Sequence, residues 1–273
     1  MSDIPELKPP PLKPGGALLL VFVHVAAFMT VTILMAALSR GDADAEQTVI
    51  GAWNLPIAQA VGLLTALYVG LARYAPGEAL PDVLRARRPR VAELVSAVVA
   101  LGIGVGAAVP AYAVLFRIIA AREGSLDELR AQVQPMPTAG LAIAVLAQLL
   151  LVPAASELFF RGFAQGRLEK TMGRVGAMLV VAILASLAQL NPYMMPGGLL
   201  VALPLGVLAL ITGSVWVPLA AHVGLQGADL VLGDGVLLAT PVGPSVRAIT
   251  IGVAGAVVGL GLVAVVSRSA RRA

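Results

Sequence analysis

The chain has 273 residues, 59% hydrophobic and 12% charged, with a mean hydropathy of +0.92 and a formal charge of +4. Soluble domains are nearer half apolar and a quarter charged, so the apolar excess cannot fit one soluble core and the chain reads as a polytopic membrane protein. It has no cysteine, which excludes disulfides, thiolate zinc sites and cysteine nucleophiles, and its small positive balance gives no support to a nucleic-acid partner.

The N-terminal stretch MSDIPELKPPPLKPGG is polar and Pro-rich and reads as a flexible tail over 1–15. It lacks the early basic patch of a secretory leader, so the first apolar run, 16–39, is expected to be a retained span. At roughly 20 apolar residues per span, further spans are expected at 49–72, about 91–119, and from Ala139 into the stretch ASELFFRGF. Beyond that point spans are expected at 175–191, 198–213, 214–233 and 248–267. The sixth and seventh abut at Thr212–Gly213, which leaves open two helices or one broken helix. No alternating pattern favours a β-barrel. The expected fold is an all-α bundle of about eight transmembrane helices. It divides into the tail, N-terminal helices and loops over 16–138, a core region over 139–233, and a last helix with a basic tail over 234–273.

Eight spans put both termini on one side. With the N-terminus inside, fourteen of the nineteen Lys and Arg residues fall on inside segments, as the positive-inside rule requires of an N-in, C-in protein. The segment PDVLRARRPR (81–90) is expected to lie against anionic headgroups or to set topology as a solvated loop. GSLDELRAQV (124–133) has the pattern of a capping box and of an interfacial helix. The small residues of GIGVGAAVPA and GVAGAVVGLGLVA fit helix packing and lack the strand–turn–helix context of a nucleotide loop.

Ionisable residues inside spans are costly, and each is a site candidate. They are His24, Glu93, Arg117, Glu157, Arg161, His222 and Asp229; the neutral polar residues are Gln148, Ser156, Gln189, Asn191 and Gln226. His24 alone in an apolar helix reads as a hydrogen-bonded packing residue. Glu93 and Arg117 lie near interfaces and need no site. His222 and Gln226 are four apart and share a face, which Asp229 extends. Glu157 and Arg161 are also four apart, so a purely structural pair is one reading, with Arg161 snorkelling to the surface.

The order and spacing of SELFFRG, LAQLN and HVGLQ resemble the CAAX prenyl protease and bacteriocin-processing (CPBP, or Abi) family of intramembrane enzymes and immunity proteins. The resemblance covers about 139–232, and GSVWVPLAAHVGLQ strengthens it. It implies membrane-embedded peptide hydrolysis near a lipidated or membrane-bound C-terminus, with membrane lipid as surroundings. Phe160, Arg161 and Gly162 set the register. The family's second glutamate then falls on Glu157, its third-motif histidine on His222, and its arginine on Arg161. Ser156 stands where the family has its water-activating glutamate, Asn191 where it has a histidine, and Gln226 where it has asparagine.

Water activation needs a base and the oxyanion needs donors. Asn191 and Gln226 retain donor capacity, whereas Ser156 is a poor base. Glu157 with His222, after a rotation of about 100° of the fourth helix, or Ser156 with His222, are alternative pairings. Zinc needs about three protein ligands, which two distant histidines do not favour, and no cofactor is expected. Three functions stay open: an endopeptidase, a catalytically degenerate relative that binds peptide or confers immunity, and a transporter or scaffold. Abundant Ala, Gly, Val and Arg suggest a bacterial source, and hence the bacterial cytoplasmic membrane.

Overall fold

A computed structural model describes residues 9–39, 55–101, 142–143, 145–189, 195–239, 257–266 and 268. The regular structure among them is helical. The helices are α1 (Pro14–Ser39), α2 (Leu55–Tyr74), the short α3 (Leu80–Val83) and α4 (Val91–Leu101). After them α5 runs from Ala147 to Met172. The last four are α6 (Arg174–Leu187), α7 (Met195–Thr212), α8 (Trp216–Ala239) and α9 (Val257–Val266). Segments Pro14–Met35 and Leu55–Tyr74 are long and apolar enough to cross a membrane, and α4, α6 and α9 are shorter apolar helices. The expected interfacial helix at 124–133, most of the third span and Arg117 lie outside the described residues.

Several boundaries differ from expectation. The fifth apolar run ends its helix at Leu187, and Ala188 and Gln189 turn away. The sixth and seventh runs are two helices, not one broken helix. Gly213 has φ +64°, a left-handed value that favours glycine. Ser214 then accepts the Trp216 N–H at 3.4 Å, as an N-cap serine does at the start of a helix.

The segment α5 is α-helical over Val152–Glu157 and Gln165–Met172, but π-helical over Ala147–Leu151 and Leu158–Ala164. Short π segments inside α-helices are frequent at functional sites. One apolar cluster joins α1, α2, α5 and α6 through residues such as Leu20, Leu63, Phe159, Phe163 and Val181. A second joins α4, α7, α8 and α9 through Ala97, Leu205, Leu208, Ala221 and Val263. Helix α5 packs on α2 with one side, while its polar residues reach α7 and α8.

The basic segment between α3 and α4 is built into the bundle. Its Leu84 carbonyl rests against Gly162, where an added Cβ would lie 2.9 Å from that oxygen. Arg85 adopts φ +55°, unfavourable for a residue with a side chain. Its carbonyl accepts the Val215 N–H at 3.0 Å, and the Arg87 carbonyl accepts the Ser214 hydroxyl at 2.7 Å. The loop therefore joins the middle of α5 to the α7–α8 turn, and only the smallest side chain fits at 162.

Gly162→Ala should lower stability by about 1–3 kcal/mol, because the clash is with backbone pinned on both sides. Gly15→Ala meets nothing within 4 Å and should leave stability unchanged or slightly raised. Thermal unfolding of the two purified variants in detergent distinguishes them.

Candidate functional site

Glu157 is fully buried, and its two carboxylate oxygens serve two different helices. Oε1 lies 2.8 Å from His222 Nδ1 on α8, and Oε2 lies 3.4 Å from Arg161 Nε, one turn along α5. A carboxylate is acceptor-only, so in this pairing Nδ1 carries the hydrogen and Nε2 of a neutral His222 presents its lone pair. His222 keeps 13% of its side chain exposed, while Glu157 and Arg161 keep 0% and 2%. The pair thus has a buried anchor and an accessible end.

Arg161 does not snorkel. It is held inside by a 2.8 Å hydrogen bond from Nη2 to the Ala202 carbonyl of α7, and its guanidinium lies 5.8 Å from the Phe160 ring centroid. That ring is itself set edge-on against Phe159, with centroids 4.7 Å apart. A backbone acceptor, a nearby carboxylate and an aromatic ring stand in part for the water Arg161 would otherwise need, while its Nε and Glu157 Oε2 meet only as an ion pair, with no hydrogen bond among the described residues. The expected pairing of Glu157 with Arg161 along the helix is present, and His222 shares the same carboxylate.

Gln165 continues the same face. Its Nε2 donates to the Gly206 carbonyl at 3.3 Å and approaches Glu169 Oε1 at 3.4 Å. In an α-helix, residues four apart drift by roughly 40° per step. The wider π turn at Leu158–Ala164 offsets that drift, so Arg161 and Gln165 both reach carbonyls of α7. The stripe Glu157, Arg161, Gln165, Glu169 is readable in the sequence as a polar repeat of four, but Gln165 and Glu169 were not among the expected site residues.

The other candidates divide. Gln226, one turn beyond His222, accepts a 3.2 Å hydrogen bond from Gln148 Nε2 through Oε1, which leaves its amide N–H groups as donors beside His222. Ser156 is half-buried and precedes Glu157 on α5, about 100° around the helix. Asn191 lies outside the described residues, and so does the side chain of Asp229 on α8. Gln189 is exposed.

His24 is buried at the α1–α2 contact, where a Cβ on Gly62 would come within 2.6 Å of its Nδ1. It packs as expected, yet neither ring nitrogen has a hydrogen-bond partner among the described residues. Glu93, expected near an interface, is also fully buried. It accepts Arg87 Nη2 at 3.1 Å and the Arg90 N–H at 2.9 Å.

No curated protein and no solved structure matches the chain. A family model does match, that of the type II CAAX prenyl endopeptidase Rce1-like proteins, over residues 138–228, one third of the sequence. The matched segment contains Glu157, Arg161, Gln165, His222 and Gln226. Over that third, which carries the buried pair and its partners, the chain is similar to the Rce1-like CAAX prenyl endopeptidases.

Proposed function

We propose that the chain is a membrane-embedded endopeptidase of the CAAX prenyl type, acting on a lipidated or membrane-bound peptide. In this reading His222 is the general base and Glu157 orients it. The observation that carries it is the 2.8 Å contact between Glu157 Oε1 and His222 Nδ1. A carboxylate on Nδ1 holds the imidazole in the tautomer whose Nε2 can accept a proton, and stabilises the imidazolium that results. Nε2 takes a proton from water as the water oxygen bonds to the peptide carbonyl carbon. The carbonyl oxygen becomes an oxyanion, for which the amides of Gln226 and Asn191 are the candidate donors. As the C–N bond breaks, the proton on Nε2 passes to the leaving amine. Arg161 supplies the buried countercharge that keeps Glu157 in place. The wider setting proposed with it is eight spans, N-in and C-in, in a bacterial cytoplasmic membrane.

A second reading is a non-catalytic relative that binds a peptide or lipidated partner or confers immunity. Ser156 and Asn191 favour it, because they stand where the resemblance implies glutamate and histidine. A transporter or scaffold accounts for the hydropathy alone.

The purified chain in detergent should cleave a prenylated peptide, and His222→Ala should lower that rate by about 10²–10⁴-fold in a protein that still folds, with about 1–3 kcal/mol of stability lost at the unpaired Glu157 Oε1. Cleavage at the parental rate by His222→Ala would overturn the assignment of the base. A parent without activity that gains it through Ser156→Glu with Asn191→His would establish the non-catalytic reading instead.

Arg161→Ala should behave differently. It strands a buried carboxylate and should cost about 3–5 kcal/mol of stability, so activity and fold should fail together on thermal unfolding.

A further inference from the structure

At one end of the bundle, a cleft of about 760 Å³ opens between the α3–α4 loop, the end of α5, the start of α6 and the end of α7. Four arginines line it, Arg85, Arg87, Arg90 and Arg174, against two acids, Asp82 and Glu169. The arginines are held by the wall they line. Arg85 is paired with both oxygens of Glu169, at 3.0 and 2.5 Å, and Arg87 reaches buried Glu93 and the Thr212 carbonyl. Arg174 donates through Nη2 to the Leu210 carbonyl, and a guanidinium has five N–H donors.

Arg174 is also the first residue of α6, a helix with no acidic residue in its first turn and no side-chain cap at Gly173. The positive end of that helix dipole, where an acid or an anion is ordinarily favoured, carries a cation instead. Cavity, arginine excess and uncapped helix start all ask for the same ligand chemistry, a phosphate-type anion.

Exposed aliphatic neighbours in sequence bear on its source. Leu80, Val91 and Val175, next in sequence to the lining residues Pro81, Arg90 and Arg174, are 55%, 76% and 62% exposed. An anionic cleft ligand beside exposed aliphatic side chains matches a phospholipid, with its headgroup in the cleft and its acyl chains along the rim. Twelve residues of α5 separate Glu157 from Glu169, about 18 Å of helix, so the cleft is a different place from the Glu157–His222 pair.

We propose that this cleft binds the phosphate group of an anionic membrane lipid. The inference rests on membrane embedding and not on hydrolysis by His222. Native mass spectrometry of the full-length chain in detergent tests it, with phosphatidylglycerol, phosphatidylcholine and inorganic phosphate as probes. Phosphatidylglycerol should be retained at least about tenfold more tightly than phosphatidylcholine, and R90Q/R174Q should reduce that preference by about tenfold or more. Lys170→Gln, outside the lining, should leave it within about twofold.

Equal retention of the two lipids by the parent overturns the proposal without recourse to any variant. So does an unchanged preference in a folded R90Q/R174Q protein. Competition by millimolar inorganic phosphate that displaces the lipid completely overturns the lipid as occupant and assigns the cleft to a soluble phosphate.

Discussion

A carboxylate with no access to water must have its charge answered by protein, and in this bundle Glu157 imposes that condition on three helices. Arg161 answers it from the same helix, and His222 answers it from α8. Arg161 in turn needs an acceptor and finds the Ala202 carbonyl on α7. Each group satisfies one neighbour and requires another, so α5, α7 and α8 are fixed relative to one another by polar contacts as well as by packing. Apolar clusters tolerate small slides between helices. A shared carboxylate does not, because each lost partner leaves a buried charge.

The local winding of α5 suits this arrangement. The π segment Leu158–Ala164 contains Phe160, Arg161 and Gly162, and it places Arg161 toward α7 while Phe159 and Phe163 stay in the core shared with α1 and α2. One helix thus presents an apolar face to one half of the bundle and a polar stripe to the other. The stripe ends at Glu169, which belongs to the arginine loop.

Much of the site is legible in the sequence because it is local or periodic. Glu157 and Arg161 are four apart, His222 and Gln226 are four apart, and the apolar runs mark most of the helices. What is not legible depends on distant backbone. Nothing near Arg161 in sequence announces the Ala202 carbonyl, so snorkelling was the natural expectation. Gly162 reads as a motif residue, while its reason is the Leu84 carbonyl, seventy-eight positions earlier. The meeting of Glu157 with His222 depends on how α5 is turned against α8, which residue spacing does not fix. Glu93 shows the same limit. Its closeness to a span end asked for no partner, but the arginine loop folds over it.

The pinning of Ser214 and Val215 to the Arg87 and Arg85 carbonyls has a mechanical consequence. From Ser214 to His222 is eight residues, about 12 Å of helix, so α8 is a lever with its fulcrum at the arginine loop. A tilt of about 10° there would swing His222 by about 2 Å over that length, enough to part it from Glu157. The loop is thus a gauge block for the polar centre: its strained, tightly stitched backbone sets, from the far end of α8, whether imidazole and carboxylate meet.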